Sequence, residues 1–119
     1  YDLCNVFVLP SIHEPWGLVI NEAMNAGRAI VVSDQVGCQP DLVMDGSNGQ
    51  LFPARNVAAL ADALEHILLS DDQCRTMGKR SLESIQAFSF EANVQGLMQA
   101  FSAAGQQKKL WSHSPSPIQ

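Results

Sequence analysis

The sequence is short of basic residues. Seven Lys and Arg stand against twelve Asp and Glu in 119 residues, a formal net charge of −5. Nucleic-acid binders present clustered Lys and Arg, so no nucleic-acid partner is expected. Cysteine is scarce as well. Cys4, Cys38 and Cys74 are odd in number and widely spaced, with no CxxC and no Cys/His cluster. They read as free thiols, which suits a reducing, cytoplasmic compartment. No apolar run approaches the ~20 residues that cross a bilayer, and no signal peptide is visible. There is no GxGxxG for a dinucleotide and no GxSxG for a hydrolase nucleophile. An initiator Met is missing too, and Tyr1-Asp2-Leu3 reads as the end of an earlier helix. The chain is therefore expected to be the C-terminal part of a longer protein.

What is present is a globular composition, with 46% hydrophobic and 16% charged residues, enough for one domain with one core. It is organised around His13–Gly27. Val6-Phe7-Val8-Leu9 leads into Pro10-Ser11 and reads as a strand buried on both faces of a parallel sheet. A loop with Glu14, Pro15 and Gly17 follows, then a helix over Leu18–Ala26 that carries Glu22 and stops at Gly27. Ala29-Ile30-Val31-Val32 is a second buried strand, completing a βαβ unit.

Beyond it, Pro40 opens a short helix over Asp41–Met44, and Asp45–Gly49 is a tight turn in which Gly and Asn tolerate positive φ. Gln50-Leu51-Phe52 is a short strand. Asn56 is read as the cap of a helix whose inner face is Val57, Leu60, Ala61, Leu64, Ile67 and Leu68. Ser70 and Gln73 suggest a capping box for a second helix facing inward with Cys74, Met77, Ser81 and Ile85. Ser89 caps a third, with Phe90, Val94, Leu97, Met98 and Phe101 inward. The domain is placed at residues 1–104, and residues 105–119 read as a polar, loose tail.

The candidate site lies beyond the carboxyl end of the first strand, where open α/β sheets bind ligands. The backbone N–H groups of Trp16, Gly17 and Leu18 are among those a helix start leaves unpaired, and they can cradle an anion. Gly17 lets a ligand approach the backbone. Glu22, near the same helix start, can accept two hydrogen bonds from a vicinal diol such as ribose. Diphosphate, ribose and sugar make a nucleotide-sugar. The stretch supplies no cation for the diphosphate, because Arg28 sits at the wrong end of the helix. The counter-charge is expected upstream. On spacing alone, Glu14 and Glu22 could equally be solvated surface residues.

Leu9-Pro10-Ser11, Glu14-Pro15-Trp16-Gly17-Leu18, Asn21-Glu22-Ala23-Met24, Ala26-Gly27 and Ser33-Asp34 resemble the donor-binding half of family 4 glycosyltransferases of the GT-B fold. Glu14 and Glu22 meet the family's Glu-x7-Glu motif, and the likeness runs from about Asn5 to Phe101. The resemblance implies an α/β fold, a partial Rossmann-like parallel sheet of the GT-B C-terminal domain followed by C-terminal helices. It implies retaining transfer of a hexosyl-type sugar from a UDP-, GDP- or ADP-sugar to an acceptor hydroxyl, in glycan, glycolipid or polysaccharide synthesis. Glu14, the catalytic position, contacts the donor sugar. The amides of Trp16, Gly17, Leu18 and Val19 bind the donor, and Glu22 holds its ribose. No metal and no cofactor is expected, since basic side chains neutralise the leaving diphosphate. The acceptor binds through the missing N-terminal domain, and this chain alone should not catalyse.

Trp16 stands where Phe is usual and is expected to pack beneath the loop. Gly37-Cys38 replaces a common Gly-Gly and is expected to tighten the following loop. Asp41 replaces a common Glu. The alternatives are a non-catalytic, partner-binding GT-B-like subunit, or another GT-B enzyme such as a nucleotide-sugar epimerase or a glycogen synthase. His13, His66 and His113 read as solvated residues rather than ligands. Trp111 with Lys108-Lys109 reads as a packed or frayed end, with peripheral membrane contact as the alternative.

Overall fold

The computed structural model describes Tyr1 and residues 3–111, without the side chains of 106–111. Three strands, β1 (Val6–Leu9), β2 (Ala29–Ser33) and β3 (Gly49–Phe52), form a parallel sheet in the order β1-β2-β3. The register pairs Phe7 with Ile30 and Val31 with Gln50. Helices α1 (Leu18–Asn25) and α2 (Gln39–Leu42) are inserted between strands, and α3 (Val57–Leu68), α4 (Asp71–Ile85) and α5 (Phe90–Trp111) follow.

Strand alternation divides the core into two layers. Phe7, Leu9, Ile30, Val32 and Leu51 face Ile20, Ala23 and Met24 of α1, together with Val36, Cys38 and Leu42. Val6, Val8, Ala29, Val31 and Phe52 face Ala63 and Ile67 of α3 and Cys74 and Met77 of α4. All of β2 is fully buried. β1 is only half-buried, against the expectation of a strand covered on both faces, because it forms an edge of the sheet.

Local signals placed most elements. α1 closes at Gly27, whose amide donates to the Met24 carbonyl at 2.9 Å. Asn56 Oδ1 accepts from the Ala59 amide at 3.0 Å, Ser70 Oγ from Gln73 at 3.3 Å, and Ser89 Oγ from Ala92 at 3.1 Å. Cys74, Met77, Ser81 and Ile85 of α4 are buried as expected. Three readings shift. α2 covers Gln39–Leu42 rather than Asp41–Met44. α3 buries Ala63 and Ile67 and leaves Val57 and Leu68 exposed. α5 leaves its apolar stripe of Phe90, Val94, Leu97, Met98 and Phe101 exposed rather than inward. His113 and the rest of Ser112–Gln119 lie outside the described residues.

The turn before β3 also differs in its chemistry. Gly46 takes a positive φ of 73°, but Asn48 does not. Asn48 is instead fully buried. Its Oδ1 accepts from the Met44 amide at 2.8 Å, and its Nδ2 donates to the Leu42 carbonyl at 2.9 Å. Ser81 Oγ of α4 donates to the Asn48 carbonyl at 3.1 Å, which fastens the turn to the helix.

Candidate donor site

The loop between β1 and α1 is built against the loop after β2. The Glu14 amide donates to the Gln35 carbonyl at 3.1 Å, Gly37 donates to the Glu14 carbonyl at 2.8 Å, and Cys38 donates to the Trp16 carbonyl at 2.9 Å. A Cβ at Gly37 would collide with the Pro15 carbonyl oxygen, so the interlock requires glycine there. Ser33 and Asp34 complete the scaffold. The buried Ser33 hydroxyl donates to the Ser11 carbonyl, and Asp34 Oδ1 accepts from the Ala54 amide at 2.9 Å.

Gly17 is the N-cap of α1 at φ 93° and ψ 56°, a left-handed conformation that other residues rarely adopt. An added Cβ would also crowd Val36 Cγ1 at 3.0 Å. This conformation turns the chain from loop into helix. The amides of Gly17, Leu18 and Val19 receive no hydrogen-bond acceptor among the described residues. The Trp16 amide is different: it donates to Glu14 Oε1 at 3.3 Å, so the Glu14 carboxylate folds back over its own loop. Glu22 sits exposed in the second turn of α1, and its Oε2 accepts from the Tyr1 hydroxyl at 2.8 Å.

Glu14, Trp16 and Gly17 thus lie in the loop before α1, Leu18 and Val19 open the helix, and Glu22 follows a turn further along it. One substitution behaves otherwise than expected. Trp16 is 39% exposed rather than packed beneath the loop. The Cys38 side chain is fully buried in the α1-side core. Burial pushes its thiol up, and burial does the same to Cys74. Arg28 lies at the entry to β2, lining a cavity of about 340 Å³ with Asn5, Asp71, Cys74 and Arg75. That cavity opens at the amino ends of the strands, the face opposite the donor loop.

One cation at the carboxyl end escaped the sequence reading. Arg55 has a positive φ of 67° on the β3–α3 loop. It lines a cavity of about 140 Å³ together with Pro10 and Ile12 of the β1 loop. No motif marks it, because its place depends on the sheet bringing two distant loops together. His13 is exposed, and no group of three or more His, Cys, Asp and Glu that could hold a metal ion occurs among the described residues. No helix among them is long and apolar enough to cross a membrane.

The fold is α/β with a parallel sheet, and the solved structures it resembles are GT-B glycosyltransferases. The chain belongs to the family described as "Glycosyl transferases group 1", whose profile matches residues 1–84. It is 35% identical over 104 residues to the D-inositol 3-phosphate glycosyltransferase of Nocardia farcinica, covering 87% of this chain and 23% of that protein. It is 39% identical over 92 residues to the alpha-maltose-1-phosphate synthase of Mycolicibacterium smegmatis, covering 71% and 24%. Among solved structures, sucrose-phosphate synthase from Thermosynechococcus elongatus superposes with a TM-score of 0.76 at 36% identity, over 93% of this chain and 26% of that one. TarM gives 0.73 at 26% identity, over 82% and 20%. The chain therefore spans about a quarter of the length of the curated relatives it matches.

Proposed function

We propose that this chain is the donor-binding portion of a longer, retaining family 4 glycosyltransferase that moves a sugar from a nucleotide-sugar to an acceptor hydroxyl. One observation carries this reading: the unpartnered amides of Gly17, Leu18 and Val19 stand beyond the carboxyl end of β1, flanked by Glu14 and followed by Glu22. Such amides suit a diphosphate. Glu22 reads the ribose diol, and Glu14 lies by the donor sugar, completing the Glu-x7-Glu motif. The relatives, among them a glycosyltransferase and two synthases of sugar phosphates, agree with sugar transfer.

Retention by double displacement needs a nucleophilic carboxylate on the far face of the sugar. A Glu14 that contacts sugar hydroxyls is poorly placed for that. The acceptor instead attacks from the face the diphosphate leaves, and the departing phosphate takes the acceptor's proton. Glu14 then acts by position and charge, exchanging its contact with the Trp16 amide for the donor sugar. Basic side chains in the rest of the enzyme balance the diphosphate without a metal. The acceptor, a sugar, lipid-linked or polysaccharide hydroxyl, binds the N-terminal domain. A cytoplasmic location fits the free thiols of Cys4, Cys38 and Cys74.

Saturation-transfer NMR of the full-length protein with UDP-, GDP- and ADP-sugars tests the reading. Transfer to the ribose and sugar protons of one donor is expected. Absence of binding to all of them would replace it with a non-catalytic, partner-binding subunit.

A further inference from the structure

We propose that Tyr1 is a positioning residue for the donor nucleotide: its hydroxyl holds the Glu22 carboxylate in the orientation that grips the ribose diol. The inference rests on the ribose role given to Glu22 above.

Glu22 is exposed on α1, and among the described residues its side chain accepts one hydrogen bond, the 2.8 Å bond from Tyr1 Oη to Oε2. A glutamate free on a helix surface samples many rotamers and loses that freedom when it binds. Tyr1 removes part of this loss in advance. Its own ring is anchored, lying against the Phe7 ring with centroids 5.6 Å apart and planes tilted by 56°. Phe7 in turn belongs to β1, paired with Ile30 and packed on the α1-side core. A chain of contacts thus runs from the sheet through Phe7 and Tyr1 to the carboxylate.

The hydrogen-bond count leaves room for a ligand. An ionised carboxylate has about four lone-pair sites. Tyr1 occupies one, so two diol hydroxyls can still donate to Glu22. The hydrogen bond to Glu22 also pushes the Tyr1 hydroxyl up from its ordinary value. It therefore stays protonated and remains a donor wherever the enzyme works. Ribose specificity then depends on a residue 21 positions away from the glutamate that reads it.

The test uses the full-length protein and whichever of UDP, GDP and ADP binds it best. Titration calorimetry compares that nucleotide with its 2′,3′-dideoxy counterpart, in the wild type and in Tyr1→Phe, which keeps the ring and removes only the hydroxyl. The wild type should prefer the diol form by roughly tenfold or more, as hydrogen bonds to a charged group allow. Tyr1→Phe should weaken the diol form about threefold to tenfold and leave the dideoxy form nearly unchanged. The preference then narrows. Equal weakening of both nucleotides would mark Tyr1 as a structural residue and overturn the proposal, as would no change in either. A wild type indifferent to the diol would instead overturn the ribose role of Glu22, and the Tyr1 proposal with it.

Discussion

Glu14 and Gly37, separated in sequence, are joined in one backbone interlock. Glu14 is held by backbone bonds to Gln35 and Gly37, so the geometry of the donor loop is set from the loop after β2. The spacing of Glu14 and Glu22 was legible in the sequence, and so was the glycine between them. The need for Gly37 was not, because it arises from contact with the Pro15 carbonyl across the sheet. Gly37→Ala should therefore weaken donor binding at least tenfold, roughly the 1.4 kcal/mol or more that a displaced loop costs, as read by titration of the full-length protein. Glu14→Ala should act differently. Steady-state kinetics should show a fall in turnover of about a hundredfold, the scale of one lost charge-stabilising group, with donor affinity changed much less. The opposite pattern would make Glu14 a binding residue only. The cysteines offer a third check. Cys38 and Cys74 are buried, and burial pushes both thiols up, so they stay protonated and inert. Peptide mapping after iodoacetamide should find Cys4 modified in the native protein, and Cys38 and Cys74 only after denaturation.

Helix starts were readable from single residues, since Asn56, Ser70 and Ser89 each accept a hydrogen bond within the following turn. Helix faces were less so. The apolar residues of α3 form a stripe wider than the face the sheet covers, and only packing selects Ala63 and Ile67 from it. The turn before β3 is the clearest case of a right location with a different cause. Its composition suggested backbone flexibility, whereas Asn48 works as a buried hydrogen-bonding plug between α2 and β3. Replacing it by Ala leaves the Met44 amide and the Leu42 carbonyl without their side-chain partner. At about 1–3 kcal/mol for each buried group left unsatisfied, Asn48→Ala should lower stability by about 2 kcal/mol or more. Urea denaturation measures this directly, and a midpoint equal to wild type would remove the plug from the account.

Across the whole molecule, the βαβ unit and the parallel sheet follow from local pattern, but the exposure of the edge and of the last helix does not. β1 has the apolar composition of an inner strand yet is an edge here, and Phe90, Val94, Leu97, Met98 and Phe101 of α5 are exposed. Periodicity reports that a face is apolar, not what covers it. The donor reading has the same incompleteness, since the motif contains acceptors and amides while the balancing cations are expected elsewhere. Arg55, brought to the carboxyl end by the fold, is a cation that no motif announced. The proposed grip of Glu22 on the nucleotide of a sugar donor is measured by the donor Kd of the full-length protein with Glu22→Ala against wild type. Loss of two hydrogen bonds to a charged group, at roughly 1.5–3 kcal/mol each as an upper bound, should raise Kd by tenfold or more; an unchanged Kd would contradict the account.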